Sequence, residues 1–231
     1  MARGRFITIE GGEGAGKTTQ VGLLVAALAR AGITARATRE PGGSPGAEAI
    51  RRLLLEGEGE RWDAVGEALL LVAARRDHVT RLIVPALAQG IWVVSDRFAD
   101  STLAYQGYGR DLALDDLAAL HRFALGAFAP DLTLILDLPV EIGLARAAAR
   151  LASRASRARA VGVRRSSASP RAAADRFERL DPAFHERLRQ GFLRIAAEES
   201  ARCVLIDASS NPGIVHQAVL DTIAQRLGVA L

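Results

Sequence analysis

The sequence predicts an α/β fold, a three-layer sandwich in which helices cover both faces of a parallel sheet. Short apolar runs with the composition of buried strands recur along the chain, and Ala- and Leu-rich stretches of helical periodicity separate them. Strands that alternate with helices are typical of βαβ units, whose crossover helices pack on both faces of a parallel sheet.

Five apolar runs are predicted as the strands of this sheet. They comprise residues 5–9, 33–38, 91–95, 132–137 and 203–207. The predicted helices between them include residues 21–31, 64–88 and 114–128. The 231 residues contain no internal repeat and no clear boundary, and we expect a single domain over residues 1–231.

Residues 151–174 interrupt the alternation of strands and helices. The segment is rich in Arg, Ser and Ala, and Gly162 and Pro170 are expected to interrupt any helix there. We interpret it as an insertion. A basic, Ser-rich segment can also bind nucleic acid, but this one has no aromatic residue on which a base could stack. Nucleic acid is therefore not an expected partner.

Composition excludes several classes of protein. No apolar run approaches the ~20 residues that a membrane-spanning helix needs, and the N-terminal residues lack the apolar core of a signal peptide. Cys203 is the only cysteine, so no intrachain disulfide can form. The four histidines show no metal-ligand spacing, and we take them as surface or helix residues. We expect a cytoplasmic protein without a membrane partner.

A phosphate-binding motif follows the first predicted strand. Residues 11–18, GGEGAGKT, fit G-x-x-x-x-G-K-[ST] between a strand and a helix, which indicates a P-loop NTPase fold. Backbone N–H groups of such a loop surround phosphate oxygens, Lys17 reaches the β- and γ-phosphates, and the Thr18 hydroxyl ligates Mg²⁺. Lys17 is the only lysine among 30 basic residues. The predicted ATP-binding residues are Gly11, Gly12, Glu13, Gly14, Ala15, Gly16, Lys17, Thr18 and Thr19.

The motif alone does not identify the reaction. A GTPase needs an N-K-x-D sequence to read guanine, and no lysine other than Lys17 is present. The chain is short for the machinery of a motor ATPase. A small-molecule kinase remains, and it needs a site for a phosphoryl acceptor.

Residues 96–106 supply such a site, because ligands of open α/β sheets bind at the carboxyl ends of the strands. Asp96 can bind Mg²⁺ or orient the acceptor, and Arg97 can hold a phosphate through two parallel hydrogen bonds. Asp137, at the end of the fourth strand, is the alternative acid for the metal, but the acceptor motif begins at Asp96. Polar side chains at roughly one-turn spacing, which suit the edge of a base, follow at Ser101, Thr102, Tyr105 and Gln106.

Five segments together resemble the thymidylate kinase family. They read IEGGEGAGKTTQ, TREPGG, AARRDHV, DRFADSTLAYQGYGR and DRFE, and the resemblance runs from about residue 4 to 209, apart from the insertion. It implies a five-stranded parallel sheet, a homodimer, and transfer of the γ-phosphoryl group of ATP to dTMP with Mg²⁺, giving dTDP and ADP.

The resemblance also implies roles for individual residues. Arg97, beside Asp96, holds the dTMP phosphate, and Arg75 faces the base. Thr102 and Gln106 contact the edge of the base. The full set of implied substrate contacts is Glu13, Pro41, Leu71, Arg75, Arg97, Ser101, Thr102, Tyr105 and Gln106.

Catalysis needs positive charge beyond Lys17, and the phosphate loop contains no arginine. Thymidylate kinases of this kind supply arginines from a lid, which we expect at about residues 146–178, around the insertion. Arg150 and Arg176 are the predicted catalytic residues of the lid, and Arg146 is a further candidate.

One departure from the family leaves alternatives open. The family usually has a Phe that stacks on thymine four residues before the base-facing arginine, and here that position is Leu71. A related nucleotide kinase with altered base specificity is therefore an alternative. A nucleotide-dependent binding protein with a basic arm is the alternative that is not an enzyme.

Overall fold

The structure, a computed structural model, describes residues 3–55, 61–160 and 180–231. Its centre is a five-stranded sheet of order β2-β3-β1-β4-β5, in which every neighbouring pair is parallel. The strands are β1 Phe6–Gly11, β2 Ala35–Arg39, β3 Trp92–Asp96, β4 Leu132–Asp137 and β5 Cys203–Asp207. All five predicted strands and the predicted fold class are confirmed.

Helices follow the strands in the expected alternation. They are α1 Lys17–Arg30, α2 Pro45–Leu55, α3 Ala64–His78, α4 Val84–Ala88, α5 Ala99–Thr102, α6 Leu114–Leu125, α7 Val140–Ala160, α8 Pro182–Glu198 and α9 Pro212–Leu227. A π-helical turn, Val79–Ile83, joins α3 to α4, and a second one, Leu103–Gly109, continues α5. The predicted helix over residues 64–88 is therefore one continuous helical run.

The sheet is covered on both faces, which explains why its strands read as continuous apolar runs. Ile7 and Ile9 of β1 belong to a core that includes Leu24 of α1 and Val219 of α9. Phe6 of the same strand packs in a second core with helices on the other face. Every residue of β1 is buried.

Local sequence signals place the helix starts. Asn211 caps α9 by accepting hydrogen bonds from the N–H groups of Gly213 and Ile214, and Pro212 occupies the first helical position. Asp181 caps α8 in the same way, accepting from the Phe184 N–H at 2.7 Å.

The register of β1 and β3 positions the functional residues. Ile9 pairs with Asp96, so the loop after β1 and the motif after β3 emerge side by side at the same edge of the sheet. The Arg97 N–H donates to the Ile9 carbonyl at 3.0 Å. This edge is where α/β sheets bind their ligands.

The first part of the predicted insertion is helical, because α7 continues to Ala160. Residues 161–174 and Arg176 lie outside the described residues. Within the described ranges, no helix is both long enough and apolar enough to cross a membrane.

Candidate active site

The phosphate loop connects β1 to α1, and its glycines have a structural reason. Gly14 adopts φ 70° and Gly16 φ 90°, in the left-handed region that other residues rarely enter. A Cβ on Gly14 would also overlap the carbonyl of Gly143, on α7. The loop therefore packs closely against α7 while its backbone remains available to phosphate oxygens.

Lys17, the first residue of α1, is buried beneath this loop. Its Nζ donates to the carbonyl of Gly11 at 3.0 Å and to that of Gly12 at 2.7 Å. Burial lowers the pKa of Lys17 to about 8, helped by the charge of Arg97 and opposed by Glu13 and Asp96. The ammonium lies at the start of a helix, where an anion is stabilised.

Thr18 and Asp96 meet next to Lys17. The Thr18 hydroxyl donates to Asp96 Oδ2 at 2.5 Å. A hydroxyl and a carboxylate oxygen fit Mg²⁺, which takes one or two protein oxygens together with phosphates and water. No group of three or more His, Cys, Asp or Glu suited to a metal occurs in the described part of the chain.

The alternative metal acid, Asp137, has a different role. Arg189 of α8 holds both of its oxygens, with Nε at 2.8 Å from Oδ1 and Nη2 at 2.9 Å from Oδ2. The Asp137 carboxylate is therefore committed to joining β4 to α8, which favours Asp96.

Arg97 occupies a strained backbone position at the centre of the site. Its φ of 74° is left-handed, which costs a non-glycine residue ~1–3 kcal/mol and is typical of functional positions. Its guanidinium donates to the Gly11 carbonyl and Ser101 Oγ, both at 3.1 Å, and to Glu13 Oε1 at 2.9 Å. A fourth bond, of 2.7 Å, goes to the Tyr105 hydroxyl.

Glu13 gives the phosphate loop a negative charge. Burial raises the pKa of Glu13, but Arg97, Lys17 and the Tyr105 hydroxyl together hold it at about 2. The Tyr105 hydroxyl donates to Glu13 Oε1 at 2.5 Å. Glu13 therefore remains a carboxylate across the physiological pH range.

A cavity of about 190 Å³, here called the acceptor cavity, opens beside Arg97. Every substrate-contact residue predicted from the sequence lines it. These residues are Glu13, Pro41, Leu71, Arg75, Arg97, Ser101, Thr102, Tyr105 and Gln106. The residues that the resemblance implied come from segments far apart in the sequence, such as α3 and α5, and the tertiary structure brings them to one cavity.

A second cavity, here called the phosphate groove, runs along the loop and the start of α1. Of the predicted ATP-binding residues it is lined by Glu13, Gly14, Gly16, Lys17, Thr18 and Thr19. Gly11 and Gly12 instead supply the carbonyls that hold Lys17, and Ala15 is buried in the core. The two cavities share the residues Glu13, Glu40, Arg51, Arg97 and Arg150.

The comparisons with known proteins agree with this geometry. The family model described as thymidylate kinase matches residues 9–219. This chain belongs to the thymidylate kinase family. The predicted recognition, and with it the predicted dTMP kinase activity, is confirmed, and nothing found supports a kinase of other base specificity.

Individual thymidylate kinases match almost the whole chain. That of Caulobacter vibrioides is 51% identical over 229 residues, covering 99% of this chain and all of that protein. That of Rhodopseudomonas palustris (strain ATCC BAA-98 / CGA009) is 53% identical over 226 residues, or 97% of this chain and 90% of that protein. The crystal structure of thymidylate kinase from Ehrlichia chaffeensis has a TM-score of 0.72 at 30% identity, covering 96% of this chain and 99% of that one.

Several residues next to the predicted site of this thymidylate kinase were not found from the sequence. Glu40 accepts a bond from Arg75 Nε at 2.7 Å and lies 3.0 Å from His78 Nδ1. His78 Nε2 lies 2.7 Å from Thr38 Oγ1. His78 is a helix residue, as expected, at the end of α3, and its side chain is fully buried in this network rather than at the surface.

Arg51 of α2 was also missed. It donates to the Pro41 carbonyl at 2.6 Å and borders both cavities. Burial and the nearby charge of Arg39 lower the pKa of Arg51. Arg51 lies in α2, the helix that directly follows the family-like segment TREPGG. This position in the sequence could have indicated that Arg51 is close to the site.

The three arginines predicted for the lid differ in their surroundings. Arg146 donates to the carbonyls of Ala208 and Ser209, at 2.7 Å each, so it secures the loop after β5. Arg150, one turn further along α7, lines both cavities. Arg176 lies beyond the described residues, and Arg150 is therefore the lid arginine that the described geometry places at the site.

Proposed function

We propose that this thymidylate kinase transfers the γ-phosphoryl group of ATP to dTMP at the junction of the phosphate groove and the acceptor cavity. The observation that carries the proposal is the sharing of lining residues between the two cavities, above all Arg97 and Arg150. ATP in the groove and dTMP in the cavity would present their phosphates to the same cationic groups.

On the acceptor side, Arg97 binds the dTMP phosphate through its planar fork. The base points toward Arg75 and Gln106, and the apolar side chain of Leu71 covers a face of the ring. Glu13 and Tyr105 hold Arg97 in place and face the sugar.

On the donor side, the backbone of the phosphate loop and Lys17 hold the ATP phosphates. Thr18 and Asp96 would hold Mg²⁺, which neutralises charge on the β- and γ-phosphate oxygens when bound. The Thr18–Asp96 contact of 2.5 Å supports this pairing.

The chemistry needs positioning and charge neutralisation more than acid–base catalysis. A phosphate oxygen of dTMP forms a bond to the γ-phosphorus while the bond to the β,γ-bridging oxygen breaks. A phosphomonoester has a second pKa near ~6 and is mostly a dianion at pH 7, so no residue has to remove a proton. Lys17, Arg97 and Arg150 surround the transferred group with positive charge.

We also propose a cytoplasmic homodimer. Support for the dimer comes from apolar side chains exposed on neighbouring helices. They are Leu53 on α2, Val65 and Leu69 on α3, and Phe123 on α6, which is 91% exposed. A charged substitution, Phe123→Asp, should shift the mass measured by light scattering toward the monomer if this face pairs.

Turnover with ATP and a panel of dTMP, dUMP, dCMP and dGMP tests the proposed use of the site. The highest kcat/KM is expected for dTMP, and omission of Mg²⁺ should abolish turnover. Equal kcat/KM values across the panel would refute the assignment of the acceptor cavity, and full activity with a chelator would refute the metal.

A further inference from the structure

The carboxamide of Gln106 has a fixed orientation in the wall of the acceptor cavity. Gln106 is 1% exposed, and its Nε2 donates to Glu67 Oε1 at 2.5 Å. Its Oε1 is buried and has no hydrogen-bond partner in the described part of the chain. An unpaired buried carbonyl is costly, and it favours a ligand that brings a donor.

Glu67 determines which end of this amide is left without a hydrogen-bond partner in the described part of the chain. A carboxylate only accepts hydrogen bonds, so the NH₂ group of Gln106 must turn toward it and the carbonyl must turn away. Glu67 lies in the first turn of α3 and is itself 1% exposed. Arg110 places a positive charge 3.8 Å from its other oxygen.

Arg75 contributes the opposite polarity to the same cavity. Its Nε donates to Glu40, and its Nη2 donates to Thr102 Oγ1 at 2.8 Å and to the Phe98 carbonyl at 3.1 Å. A guanidinium can only donate. The cavity therefore offers a donor from Arg75 and an acceptor from Gln106.

We propose that Glu67 is a positioning residue for base selection, which locks Gln106 so that the acceptor cavity takes a ring N–H next to a carbonyl. The inference rests on the proposed function, because it concerns the same cavity. Thymine and uracil carry this imide edge, with a carbonyl for Arg75 and an N–H for Gln106. Cytosine carries the inverse pattern, which would set two donors together at Arg75 and two acceptors at Gln106.

The substitution Glu67→Gln tests this role, because a neutral amide at position 67 can donate as well as accept and allows Gln106 to turn. The ratio of kcat/KM for dTMP to that for dCMP should fall roughly tenfold or more. Once Gln106 can turn, its NH₂ group can face cytosine, and the pairing of two acceptors is relieved. The ratio for dTMP to dUMP should stay unchanged, since both rings present the same edge.

Two further variants separate selection from general damage. Glu198→Gln makes the same charge change on an exposed part of α8 and should change neither ratio. In a Gln106→Leu background, Glu67→Gln should no longer alter the dTMP to dCMP ratio, because the amide through which it acts is gone.

The outcomes are distinct. An equal loss of kcat/KM for dTMP, dUMP and dCMP in Glu67→Gln would show a merely structural role and overturn the inference. If Glu67→Gln does not fold, Gln106→Leu alone carries the test, and an unchanged dTMP to dCMP ratio in that variant would overturn it. A wild-type protein without preference for dTMP over dCMP would instead refute the proposed function.

Discussion

In the phosphate groove, Lys17 is held by backbone carbonyls, whereas Arg75 and Arg97 of the acceptor cavity are held mainly by other side chains. Lys17 donates to the carbonyls of Gly11 and Gly12. Arg75 instead donates to the Glu40 carboxylate, and Arg97 donates to Glu13 and Tyr105. Every residue has a backbone, so the groove needs only glycines and one lysine to bind phosphate. The acceptor cavity depends on particular side chains, and it is the part that can distinguish bases.

If this contrast holds, changes in the groove should lower turnover with every nucleotide, and changes in the cavity should alter dTMP binding. The strongest test is Lys17→Ala. Loss of a preorganised charge at the transferred group should lower kcat by ~10²–10³ or more. The acceptor preference should persist in the residual activity.

The matched control for that variant is Arg30→Ala, at the exposed end of α1, which should leave kcat unchanged. Thermal unfolding should show that both variants are folded. Near-normal turnover by folded Lys17→Ala would contradict the assignment of the groove to ATP.

Arg150 borders both cavities, so its replacement tests the chemistry at their junction. Arg150→Ala should lower kcat and kcat/KM together by roughly 10²-fold or more, since arginines that act on the transition state contribute ~10³–10⁵. Arg146→Ala, one turn earlier on α7, should lower kcat less, because its guanidinium is bound to backbone carbonyls. The reverse order of effects would move the catalytic role to Arg146.

Glu10 is a buried carboxylate that holds the backbone and a side chain of the acceptor motif, and its ionisation should affect stability. It accepts from the Phe98 N–H and from Ser101 Oγ, both at 2.6 Å. Burial and the charge of Asp100 raise its pKa from 4.5 to about 7. Because the folded-state pKa is raised, the ionised form costs stability, and that cost should grow from pH ~4.5 to ~7 and reach up to ~3 kcal/mol.

The free energy of unfolding in urea, measured at pH 5 and pH 7.5, should therefore fall with pH more in the wild type than in Glu10→Gln. The glutamine variant loses part of the hydrogen bonding to the Phe98 N–H and Ser101 Oγ, so it should be less stable at pH 5. It has no ionisable group at this position. If the free energy of unfolding falls with pH equally in the two proteins, ionisation of Glu10 does not destabilise the fold.

The smallest expected effect concerns Leu71, which lines the acceptor cavity where the family usually has Phe. Leu71→Phe should lower the KM for dTMP a few-fold, because aromatic stacking contributes ~0.5–1.5 kcal/mol beyond burial. The KM for ATP should not change. A higher KM for dTMP would mean that the cavity is already filled around Leu71, with Phe98 supplying the aromatic face.

The sequence by itself determined the fold class, the phosphate loop and the acceptor motif. Each of these depends on residues that are close in the chain: a strand of apolar residues, a loop that must contain glycines, and a polar helix after β3. Resemblance added Arg75 and Leu71 from α3, and the structure places both in the acceptor cavity.

Only the tertiary structure decided what holds those residues in place. Glu67 lies 39 positions from Gln106, and Glu40 lies 35 from Arg75. Likewise, Arg189, whose pairing with Asp137 supports the choice of Asp96 as the metal acid, lies 52 positions away from Asp137. A carboxylate on a helix or loop reads as a solvated surface group in the sequence. Its partner is set by how helices pack on the sheet, and no local spacing encodes that distance.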